Sequence, residues 1–151
     1  MIDLMINPNQ VAKEILSSDY FKNARKNAQI YSKDINKIEE ILLQVDYKLS
    51  NIKFDENEKK LVEFANNMKK LYNLVKSYYQ EEYKCIDIES IEWAIVAINY
   101  FISPVDFIPD SMGNVGYIDD MIVMYFVLSN IQSELDKFLI WEKNKEKIFA
   151  L

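Results

Sequence analysis

The 151-residue chain has no histidine and a single cysteine, Cys85. Without histidine it lacks the usual general base near neutral pH and the commonest zinc ligand. One cysteine excludes an intramolecular disulfide and a cysteine-rich metal site. With no histidine to activate it, Cys85 is expected to be a small packed thiol rather than a nucleophile. Two glycines and three prolines are too little punctuation for a sandwich or barrel of many short strands. The longest apolar runs, such as Met121 to Leu128, fall well short of the roughly 20 residues a membrane span needs. The opening "MIDLMINPNQ" has no basic stretch, no long apolar run and no small-residue cleavage site, so a cytoplasmic protein is expected.

Apolar residues are plentiful, at 50% of the chain with 13% aromatic, which favours a packed core over disorder. Their spacing is helical. After Pro8, Val11, Ile15 and Leu16 share one side of a short helix, and Ser18 or Asp19 is placed to cap a second, about Tyr20 to Tyr31. Ser32 or Asp34 opens a third, striped by Ile35, Ile38, Leu42, Val45 and Leu49. Asp55 with Glu58 resembles a capping box for a fourth, about Glu56 to Gln80, striped by Leu61, Phe64, Met68, Leu71, Val75 and Tyr78. Asp87 caps a fifth, Ile88 to Ile102, which is apolar nearly all round and so belongs at the centre of a bundle. A last helix starts near Tyr117 and runs through Ile131, Leu135 and Phe138 to Trp141 or beyond. Ile95, Ile98, Ile122 and Phe126 are expected in the core. The predicted fold is all-α: one domain over residues 1–151, five or six helices around a central apolar hairpin.

Between the two hairpin helices lies "YFISPVDFIPDSMGNVGYIDD", with two of the three prolines, both glycines and four aspartates. Pro104 ends the preceding helix, Pro109 prevents its renewal, and Phe107 and Ile108 are suited to tuck the turn onto the bundle. The motif Ser-Pro-x-Asp-x-Ile-Pro-Asp, a glycine, then Tyr-x-Asp-Asp opening an apolar helix resembles the signature of a bacterial family. That family is catalogued as domain of unknown function 1232 and often called YkvA-like. The resemblance covers about residues 90–130, within a hairpin region of 87–140. It implies a helical hairpin and brings no reaction with it. Residues 1–86 carry amphipathic helices without such a resemblance.

Charge is unevenly distributed. From Cys85 to Asp136, 52 residues contain no lysine or arginine and nine acids, while the remaining 99 residues carry a net +3. The local sequence therefore offers no lysine or arginine to Asp106, Asp110, Asp119 and Asp120. Three roles suit them. They can accept backbone N–H bonds in proline turns and at a helix N-terminus. They can offer hard oxygen ligands to Ca²⁺, Mg²⁺ or Mn²⁺, although their spacing is not that of an EF-hand. Or they can form an acidic face for a protein partner with a basic surface.

The expected function is accordingly that of a non-enzymatic binding or regulatory protein, such as an inhibitor, immunity protein or antitoxin. Two alternatives stand beside it. One is a metal-dependent hydrolase built on the aspartates, although no phosphate cradle or oxyanion stabiliser accompanies them. The other is a membrane-associated hairpin, opposed by the cost of charge at its tip. Nucleic acid is not an expected partner for a chain of net charge −6 whose most distinctive segment is acidic.

Overall fold

Helix starts follow the side chains that can satisfy exposed N–H groups. In the computed structural model, which describes residues 8–53, 55, 57–103 and 117–149, Ser18 Oγ accepts from the Phe21 amide at 3.3 Å and begins α2, Asp19–Tyr31. The Asp34 carboxylate accepts from the amides of Asn36 and Lys37 at 3.1 and 3.3 Å to start α3, Ile35–Ser50. Asp87 does the same for α5, Ile88–Ile102, accepting from the amide and the hydroxyl of Ser90 at 3.3 and 2.7 Å. Before these lies α1, Pro8–Leu16. The helix α4 spans Lys59–Tyr79, and α6 spans Ile118–Phe149.

The capping box expected of Asp55 does not form. Glu58 stands at the cap position of α4 without a side-chain bond. Asp55 instead closes a turn upstream, its carboxylate accepting from the Asn57 amide at 3.2 Å and its carbonyl from Glu58 at 2.9 Å. The fourth helix consequently begins three residues later than the sequence predicts.

No strand occurs among the described residues; the architecture is an all-α bundle of helices on helices. Its axis is α5, which packs against α2, α3, α4 and α6. Every residue of α5 from Ala94 to Phe101 is buried, together with Ser90 and Ile91. Burying each large apolar side chain there contributes roughly 1.5–3 kcal/mol relative to exposure. Asn99, the polar member of that stretch, donates from Nδ2 to the Ala24 carbonyl of α2 at 3.5 Å.

Two expectations about the core need correction. Ile95 and Ile98 are buried, but Ile122 and Phe126 are only partly so; Val123, Met124 and Val127 turn inward instead. On α3, Ile35 is 47% exposed and the buried stripe is Ile38, Ile41, Leu42 and Val45. At 32 residues, α6 is about 48 Å long. Beyond the hairpin it is held by Tyr83, whose ring meets Phe138 at 5.2 Å and Trp141 at 5.1 Å. Lys145 also pairs with Glu82 there.

Candidate functional site

Three surfaces hold chemistry: the end of the hairpin, the connection between α4 and α5, and the seam between α4 and α6. At the hairpin end, Ser103 leaves the helix in extended geometry, its amide bonded to the Asn99 carbonyl at 3.1 Å. Helix C-termini favour cations. Lys48 of α3 supplies one, donating to the Phe101 carbonyl with its Nζ 4.6 Å from the Phe101 ring centre. The Phe101 ring in turn meets Phe64 at 5.4 Å and Tyr117 at 6.3 Å.

The complementary charges sit at the N-terminus of α6. Asp119 and Asp120 occupy its first turn and are 0% and 3% exposed. The Tyr100 hydroxyl donates to Asp119 Oδ2 at 3.0 Å, tying the last turn of α5 to the first of α6. Asp106 and Asp110 lie outside the described residues. Among those described, no group of three or more acidic, histidine or cysteine side chains is placed to hold a metal ion.

The base-free segment is not base-free in space. Arg25 of α2 lies over Trp93 at 4.6 Å, and both line a hollow with Glu89 and Glu92. Glu92 accepts from Ser32 Oγ at 3.3 Å, and the Ser32 carbonyl accepts from the Tyr79 hydroxyl at 2.7 Å. Burial, then the neighbouring Tyr78 and Glu92, push the Tyr79 hydroxyl well above its ordinary pKa. Asp87 and Glu92 thus already serve the fold, and Asp119 and Asp120 face inward. Among the described residues, the acids of this segment left exposed are Asp87, Glu89 and Asp136.

The connection after α4 concentrates exposed acid. Glu81, Glu82, Asp87 and Glu89 are all exposed there, against Lys145, which pairs with Glu82, and Lys84, which is held over the Tyr78 ring at 3.5 Å. Glu81 has φ 64°. Left-handed backbone suits glycine at this position after a helix, and glutamate gains nothing from it sterically. The Glu82 and Tyr83 amides both return to the Ser77 carbonyl, at 3.0 and 3.2 Å. Cys85 is exposed on the same connection. The packed thiol expected from the sequence is therefore not observed: the neighbouring Tyr83 and Ile86 take the inward positions.

The third surface is a groove of about 700 Å³ between α4 and α6. Phe64, Met121, Met124 and Leu128 give it an apolar lining, and Tyr125 stands in it 80% exposed. No sequence pattern announced it, because its walls lie some 60 residues apart in the chain.

An all-α bundle built on a buried hairpin is the class that fold and site define. Within it, residues 92–126 match the family described as "Protein of unknown function (DUF1232)", so the likeness is confined to a segment. No curated protein and no solved structure matches the chain. Among the described residues no helix is long and apolar enough to cross a membrane.

Proposed function

We propose that the protein works by binding, presenting the acidic connection between α4 and α5 to a protein partner with a basic surface. The observation that carries this reading is Glu81. A carboxylate occupies a position where the backbone is left-handed and glycine would sit without strain. It stands beside Glu82, Asp87 and Glu89, with the half-exposed Ile88 among them. Such a cluster steers a basic partner through long-range attraction, and an apolar residue within it supplies area to bury.

The test is capture of a partner by wild type and by the double variant Glu81→Lys, Glu89→Lys, across a salt series. Neither residue is a cap or a core group, so folding is retained. Binding is expected to weaken with salt and to be lost in the double variant, while Glu39→Lys with Glu40→Lys on α3 leaves it intact. Capture that survives both salt and the double variant overturns the reading.

A divalent cation at the hairpin end is the second reading. It is supported by the burial of two adjacent carboxylates, Asp119 and Asp120, in the first turn of α6. Buried acids of this kind are tolerated when hydrogen-bonded, paired or coordinated. A hydrolase would need the same cation first, so the experiment that removes one removes the other.

A further inference from the structure

We infer that the groove between α4 and α6 is a docking site for an amphipathic helix of a protein partner whose polar flank is acidic. The inference concerns a different face from the acidic connection and does not depend on it. The groove is apolar where a helix would lie: Phe64 and Met124 form its floor, with Met121 and Leu128 beside them. Methionine adapts its shape to the side chains of an incoming helix, as flexible hydrophobic grooves require. Tyr125, 80% exposed in the middle of the α6 wall, is the kind of large aromatic that anchors an interface.

The rim chooses the sign of the partner. On the α6 side, Met121 to Ser133 contains no charged residue. On the α4 side, Lys60 lines the groove, and Lys59 and Lys70 line a hollow sharing Glu63 and Asn67 with it. Among the described residues, three lysines face one glutamate along this edge. A helix seated on the apolar floor therefore meets positive charge on one flank and uncharged side chains on the other. An acidic flank against α4 completes it; a basic helix would be repelled along its length. Val62, exposed within the adjoining hollow, extends the apolar contact past the lysine edge.

The test uses two designed helical peptides with identical leucine faces, one bearing glutamates on its flank and the other lysines, measured by fluorescence anisotropy with the full chain. The glutamate peptide is expected to bind, at least about tenfold more tightly than the lysine peptide, and more weakly as salt rises. Tyr125→Ser, and separately Lys59→Glu with Lys60→Glu, should each lower that affinity by about tenfold or more. All three positions are exposed, so Tyr125→Ser should melt with wild type, and Lys59→Glu with Lys60→Glu should melt no lower, because acids in the first turn of α4 suit its dipole. Equal binding of the two peptides, or affinity unchanged by either variant, overturns the inference. So does binding to anionic vesicles that excludes the glutamate peptide, which would assign the lysine edge to a membrane. Dimerisation of the free chain that is abolished by Tyr125→Ser would assign the groove to a second copy and overturn it equally. Loss of the acidic connection by Glu81→Lys and Glu89→Lys leaves peptide binding unchanged, which separates the two faces.

Discussion

Replacing Glu81 by glycine should make the protein more stable and its acidic connection less effective. In the left-handed region a Cβ crowds the following carbonyl, at roughly 1–2 kcal/mol for an ordinary residue. Glycine removes that crowding but costs roughly 0.5–1 kcal/mol through the greater freedom of the unfolded chain. The ion pair that would be lost is weak: Lys84 Nζ approaches Glu81 Oε1 at 3.9 Å, with both side chains largely exposed. Pairs of that kind contribute close to nothing in water. The bonds that close the helix end come from the backbone, to the carbonyls of Lys76, Ser77 and Tyr78, and survive the change. The net expectation is a gain of about 0.5–1 kcal/mol, equivalent to a rise in Tm of about 1–4 °C. Urea unfolding measures it, and the slope with denaturant should not change. Glu81→Ala is the control, because it deletes the same carboxylate and keeps the Cβ; it should stay within about 0.5 kcal/mol of wild type. A glycine variant no more stable than the alanine variant would refute the steric argument. A glycine variant that is more stable and binds the partner as well as wild type would remove the functional reason for the glutamate.

Tyr79→Phe removes the hydroxyl bonded to the Ser32 carbonyl and should cost about 0.5–1.5 kcal/mol at neutral pH. Because the folded state raises the Tyr79 pKa above its ordinary 10.0, the stabilising effect is full below that value and is lost as pH rises above it. Urea midpoints of wild type and variant should therefore converge above pH 10, and parallel curves would contradict the assignment. At the hairpin end, Asp119→Asn keeps an oxygen for the Tyr100 hydroxyl and deletes the charge, as Asp120→Asn deletes its own. If the second reading holds, millimolar Ca²⁺, Mg²⁺ or Mn²⁺ raises the wild-type melting temperature and the Asn variants lose the rise. A wild-type melt indifferent to all three metals ends the cation reading and the hydrolase with it.

Where neighbouring residues decide structure, the sequence was sufficient. Ser18, Asp34 and Asp87 cap their helices because the carboxylate or hydroxyl reaches an amide two or three residues on, a distance set by local geometry alone. The centrality of α5 was legible because an all-round apolar helix has no solvent face to offer. The facing of α6 was not. "MIVMYFVL" carries no polar residue to mark the outside, so the choice between Ile122 and Val123, or Phe126 and Val127, waits on what α4 and α5 present. The absence of lysine and arginine from the local sequence suggested an acidic face, but Lys48 reaches the Phe101 carbonyl from α3, 53 positions earlier, and Arg25 reaches the Trp93 ring from α2. Charge patterning along a chain records such pairs only when they are close in sequence. The four aspartates were singled out together; two fall outside the described residues, and the other two are interior.

The matched segment has a physical meaning of its own. Of its described residues, only Ile118 and Tyr125 are exposed; the rest, from Glu92 through Phe126, are buried or partly buried. In its helical parts the match therefore falls on positions where two apolar helices pack, and packing constrains a fold far more than an activity. The surfaces proposed for binding lie mainly elsewhere: Glu81 and Glu89 precede the segment, and the lysine edge belongs to α4. Tyr125 is the exception, an exposed aromatic inside the shared segment, facing a groove whose other wall lies outside it. In this chain the two walls of the groove therefore divide between the matched segment and the rest of the bundle. On the docking proposed above, the hairpin would supply the apolar contact, and the helix laid against it would set the charge of the partner that is accepted.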